Sequence, residues 1–80
     1  MKHARPDYDR IQDPAGLIPE DEPVFLLRAQ DILAGDLVAA WAKQAAQNGA
    51  SYEMCQMALQ HADRMREWPK KKTPDLPEAK

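Results

Sequence analysis

Pro23-Val24-Phe25-Leu26-Leu27-Arg28-Ala29-Gln30-Asp31 is the densest apolar run of the chain and holds its only phenylalanine. Acidic residues precede it (Glu20, Asp21, Glu22), and Arg28, Gln30 and Asp31 close it. Valine and phenylalanine behind a proline read as a short buried strand over residues 24–28. The competing reading is the first turn of a helix with proline at its start. A lone strand leaves its backbone N–H and C=O groups without partners. It must therefore pair with the region 8–12 or with the same strand of another subunit, and this is the ground for expecting a homodimer or higher homo-oligomer.

Beyond this run the chain has no proline until Pro69. Leu37, Val38, Trp41 and Ala45 recur at helical spacing and predict a helix over residues 35–47 with these four on its apolar face. Ala39, Ala40, Ala42 and Ala46 favour the helix, and Asp36 suits its positive first turn. Asn48-Gly49 is a stop signal. Ser51 caps a second helix with Glu53 in its first turn. Its apolar face is Cys55, Ala58, Leu59, Ala62 and Met65, widened by Met54, Met57 and Trp68. Pro69 ends it by disfavouring the α conformation at Trp68. So short a connection makes the two helices antiparallel neighbours.

The predicted fold is a small α+β domain: an extended arm over residues 1–23, a strand plus antiparallel helical hairpin over 24–68, and a basic proline-containing tail over 69–80. The arm carries four of the seven prolines. Asp13-Pro14-Ala15-Gly16 reads as a turn within it, and Tyr8, Ile11 and Leu17-Ile18 as its apolar pegs. Lys70-Lys71-Lys72 opens the tail, which reads as a solvated terminus with Leu76 as a further peg.

Composition narrows the function classes. A chain of 80 residues is one small domain, and such a domain buries only about 60% of its unfolded surface. Cys55 is the only cysteine, so a disulfide within the chain and a cysteine-rich zinc site are excluded. Oligomerisation is the remaining remedy for a small core. No run is long enough to span a bilayer, and the N-terminus lacks the apolar segment of a signal peptide. With a single thiol, this fits a cytoplasmic protein. A net charge of -2 argues against a general nucleic-acid binder, which needs a basic face.

There is no phosphate-binding glycine loop, no zinc-protease motif and no nucleophile elbow, so the expectation is a protein that is not an enzyme and holds no cofactor or metal. His61, Arg64 and Trp68 fall three and seven residues apart along one face of the second helix. Arg supplies a fork of donors and Trp a stacking surface. If Arg28 joins them, the four make a pocket for a small anionic or nucleotide-like ligand. The bland alternatives are an exposed helix face, with Arg28 paired to Asp31 or to the Glu20-Asp21-Glu22 run. Cys55, facing the hairpin interior, reads as a small hydrophobe. A helix-turn-helix is disfavoured because Tyr52, Glu53, Met54 and Gln56 put no basic residue at the start of the reading helix.

The run Ile18-Pro19-Glu20-Asp21-Glu22-Pro23-Val24-Phe25-Leu26-Leu27-Arg28-Ala29-Gln30-Asp31, the tryptophan-containing helix, and the ending His61-Ala62-Asp63-Arg64-Met65 with Trp68-Pro69 and Pro74-Asp75-Leu76-Pro77 resemble a group of short uncharacterised proteins of bacterial and prophage genomes. The resemblance covers most of the chain and implies a phage-borne accessory protein. The leading expectation is a non-enzymatic binding protein that engages a host protein through its arm and strand edge. The alternative is a sponge for a small anionic ligand through Arg28, His61, Arg64 and Trp68; a weaker one is a transcription regulator.

Overall fold

A computed structural model describes residues 1–8 and 13–76. The chain divides into two compact units, one made of Met1–Leu26 with the chain from Asp75, the other of Leu27–Pro74.

In the first unit, β1 (Lys2–His3) and β2 (Pro23–Val24) form a two-stranded parallel sheet in the register Lys2 to Pro23 and His3 to Val24. The Lys2 amide donates to the Glu22 carbonyl at 2.7 Å and the Ala4 amide to the Val24 carbonyl at 3.1 Å. The strand expected over residues 24–28 therefore stops at Val24. Its partner is Lys2–His3 rather than the region 8–12, of which Tyr8 lies in a 3-10 turn (Pro6–Tyr8) and the rest outside the described residues. The 3-10 turn follows Ala4, and among the described residues nothing continues the ladder beside Phe25. Phe25 is 71% exposed, and the apolar run is not the buried strand its composition suggests. Because the strand is paired within its own chain, strand pairing no longer argues for a dimer.

Tyr8 is buried beneath Arg5, whose guanidinium lies 4.5 Å from the ring centre and forks onto Asp7 at 3.0 and 2.7 Å. The hydrogen bond to Asp7 holds the Arg5 guanidinium above its ordinary pKa. The expected turn at Asp13 closes with the Gly16 amide on the Asp13 carbonyl at 3.0 Å, and Gly16 takes φ +65°. The Asp13 carboxylate accepts from the Ile18 amide at 2.7 Å, which half-buries Ile18 and leaves Leu17 exposed.

The second unit is a helical hairpin of α1 (Ala34–Gln47) and α2 (Tyr52–Glu67). Asp31 starts α1: its carboxylate accepts from the Leu33 amide at 2.8 Å and its carbonyl from the Ala34 amide at 3.1 Å. The helix stops in a Schellman motif, with Gly49 N–H on the Ala46 carbonyl and Ala50 N–H on the Ala45 carbonyl. Gly49 supplies the positive φ of 91° that this stop demands. The Ser51 hydroxyl then accepts from the Met54 amide at 3.1 Å and caps α2. Trp68, before Pro69, has left the helix at ψ 123°.

The seam between the helices is built from small residues. Ala34, Gly35, Ala39 and Ala42 are buried on α1, and Cys55, Ala58, Ala62 and Met65 on α2. A Cβ on Gly35 would lie 2.7 Å from Arg66 Cγ and 3.3 Å from the Ala62 carbonyl oxygen. The start of α1 therefore abuts the end of α2, the helices are antiparallel, and their backbones touch. The α2 face is as expected, although Leu59 is only half-buried. The α1 face is reversed in part: Leu37 and Trp41, expected inside, are 50% and 52% exposed. Small side chains at the contact let helices come closest, and bulky ones would hold them apart. The alanines and Gly35 thus win the seam, and the large residues turn outward.

The tail is exposed over residues 69–76, as expected, yet part of it is docked. Lys72 N–H donates to the Gln30 carbonyl at 2.8 Å, and Ile32 N–H to the Lys72 carbonyl at 3.1 Å. The Lys71 ammonium donates to the carbonyls of Ala29 and Met65, the latter at the negative end of α2. Leu76 is exposed, not a peg. Among the described residues, no helix is long and apolar enough to cross a membrane.

Gly35→Ala gains about 1 kcal/mol of helix propensity but overpacks the seam, which costs about 1–3 kcal/mol, so a net loss of about 1 kcal/mol is expected in urea unfolding followed by circular dichroism. A more stable variant would contradict the close approach. Lys71→Ala should speed hydrogen exchange at the Ile32 and Lys72 amides while leaving mid-helix amides of α1 protected.

Candidate functional site

Three of the four residues singled out from the sequence share one stripe of α2. His61, Arg64 and Trp68 are exposed, and Met54 and Met57 extend the stripe toward the start of the helix. Positions 54, 57, 61, 64 and 68 alternate in steps of three and four, the spacing that keeps side chains on one line of a helix. Met54, Met57 and Trp68 are 42%, 59% and 50% exposed. The stripe is thus apolar with two basic groups set into it.

Arg28 is not on α2. It lies in the segment before α1, where its carbonyl accepts from the Asp31 amide at 3.0 Å. Among the described residues its side chain is exposed and takes part in no ion pair.

Arg66, near the negative end of α2, is not among the residues singled out as a site. It bridges the hairpin to Asp36 at 3.0 Å and pairs with Asp63 at 3.2 Å. With Ile32, Gly35, Asp36 and Lys71 it lines a cleft of about 180 Å³. Its cation is taken by two carboxylates, so the cleft offers Lys71 rather than Arg66 to an anion, and Lys71 is itself held by two carbonyls. The first unit has an apolar hollow of about 270 Å³ lined by Pro14, Ile18, Val24, Phe25 and Leu26 among others. Among the described residues no cluster of three or more His, Cys, Asp or Glu is arranged to hold a metal. Cys55 is 6% exposed, inside the seam.

The remaining feature is the outward surface of the hairpin. Its large apolar residues sit at the surface, while its buried side chains are alanine, one cysteine and Met65; no large side chain is fully buried. A soluble chain normally buries its tryptophans to a greater degree, and large exposed patches mark interaction sites. No protein-family model, no curated protein and no solved structure matches the chain.

Cys55 should react slowly with Ellman's reagent in the folded protein and rapidly once urea opens the seam. Rapid reaction without denaturant would place the thiol outside the hairpin.

Proposed function

We propose that this chain is a non-enzymatic, cytoplasmic accessory protein of phage type whose work is to bind protein, and that it does so through the outward face of its hairpin. The observation that carries this reading is the inversion of the hairpin: Trp41, Met54, Met57 and Trp68 are at the surface while alanines fill the seam. Met and Trp are the side chains that interfaces favour, Trp as an anchor and Met as an adaptable filler. The arm and strand edge expected to make the contact are a weaker choice, because β2 already has its partner in β1. Cys55, a lone buried thiol, suits a reducing compartment.

A Trp41→Glu variant puts a charge in the middle of the face and leaves the seam untouched. Circular dichroism should show it folded. Its complexes, recovered by chemical cross-linking in the native cell, should fall at least about tenfold relative to the unmodified protein, the loss typical of a buried anchor. Tyr52→Glu, at a residue 78% exposed on another side of α2, should leave them unchanged. Equal complexes for Trp41→Glu and the unmodified chain would refute the assignment of the face.

A further inference from the structure

Each helix of the hairpin carries two parallel rows of side chains. On α1 the seam row runs through Gly35, Ala39 and Ala42, and a second row lies one residue before it: Ala34, Val38, Trp41, Ala45. On α2 the seam row is Cys55, Ala58, Ala62 and Met65, and again a second row lies one residue before it: Met54, Met57, His61, Arg64, Trp68. One residue is a rotation of about 100° about a helix axis. Because the helices run in opposite directions, the same backward step turns both second rows to the same side of the hairpin. Both rows have the alternating three-and-four spacing of a helix–helix seam. Two antiparallel helices with a second seam on one common side are half of a four-helix bundle.

The rows also say what covers them. The α1 row is symmetric about the midpoint of Ala39 and Ala40: Val38 and Trp41 exchange places on reversal, as do Ala34 and Ala45. The α2 row is nearly symmetric about His61, with Met54 opposite Trp68 and Met57 opposite Arg64. The two midpoints lie side by side in the hairpin, since Gly35 abuts Arg66 and the antiparallel register carries Ala39–Ala40 to His61. One two-fold axis therefore crosses both rows at their centres. Rows centred on one axis are compatible with an isologous contact, in which each position of one copy meets its counterpart on the other.

We infer that the occupant of this face is a second copy of the chain, and that two hairpins stack about this axis into an antiparallel four-helix bundle. The inference rests on the reading of the face as a protein-binding surface and names its partner. Val38 packs against Trp41 of the second copy, a small side chain against a large one. Met54 meets Trp68 of the second copy, sulfur against an aromatic ring. Met57 lies along the aliphatic stem of Arg64 of the second copy, whose guanidinium reaches water. His61 faces its equivalent, the polar position that fixes register at the centre of an otherwise apolar seam. Ala34, at the head of its row, is already fully covered within its own chain. The two half-exposed tryptophans and the two methionines offer on the order of 400 Å² of apolar surface per copy. That is close to the apolar share of the roughly 800 Å² per side of a standard interface.

Sedimentation equilibrium of the full chain over about 1 to 100 μM tests this, since self-association follows mass action. The expected result is a two-chain mass at the upper end and a one-chain mass for folded Trp41→Glu. If that variant unfolds, His61→Cys gives the independent reading. On mild oxidation it should form a disulfide-linked two-chain species, whereas the unmodified protein, with Cys55 in the seam, should not. A one-chain mass throughout, with no cross-linked His61→Cys, overturns the second copy. The wider reading is then judged by a hydrophobic dye: binding that Trp41→Glu abolishes preserves a protein-binding face, and no binding to the unmodified monomer ends both.

Discussion

The contact of Gly35 with α2 is the constraint on which the hairpin depends. With the Ala62 carbonyl and the Arg66 backbone and side chain so near, a side chain at residue 35 has no room. Helices held this close admit only small groups between them, and Ala39, Ala42, Ala58 and Ala62 supply them. The hydrophobic contribution of such a seam is small, because each methyl removes little apolar area from water. The caps take on a larger share: Asp31, Ser51, the Gly49 stop and Lys71 satisfy helix-end groups that packing leaves open.

The same constraint decides where chemistry can and cannot sit. The cleft lined by Gly35 and Asp36 of α1 and Arg66 of α2 is small, about 180 Å³, and the Cys55 thiol is buried in the seam. Arg66 pairs across the rim with Asp36 and along its own helix with Asp63. What remains is the outer surface, where the bulk of the aromatic and sulfur side chains collects.

Much of the hairpin is legible in the sequence. Ser51, Asn48-Gly49 and Trp68-Pro69 act through local backbone geometry, so they mark helix ends without any tertiary knowledge. The row His61, Arg64 and Trp68 is likewise a matter of spacing along one helix. The direction of the α1 face is not legible in the same way. Leu37, Val38, Trp41 and Ala45 have the period of a buried face, and Gly35, Ala39 and Ala42 have it too; only the closeness of α2 decides between them. The pairing of Pro23–Val24 with Lys2–His3 escapes because a two-residue ladder has no periodicity and joins segments far apart in sequence. The docking of Lys71 and Lys72 escapes because a run of lysines before a proline looks solvated until its backbone partners at Ala29, Gln30 and Ile32 are in view.

The claim that small residues form the inside and bulky ones the outside is tested most directly by isotope-filtered nuclear Overhauser measurements on a sample mixing labelled and unlabelled chains. The account predicts that the Gly35 α-protons contact Arg66 within one chain, and that the Trp41 indole shows no contact to Ala58 or Ala62 of its own chain. Trp41 contacts to Ala58 and Ala62 within a single chain would contradict it, because the tryptophan would then occupy the seam that the glycine and the alanines are held to fill.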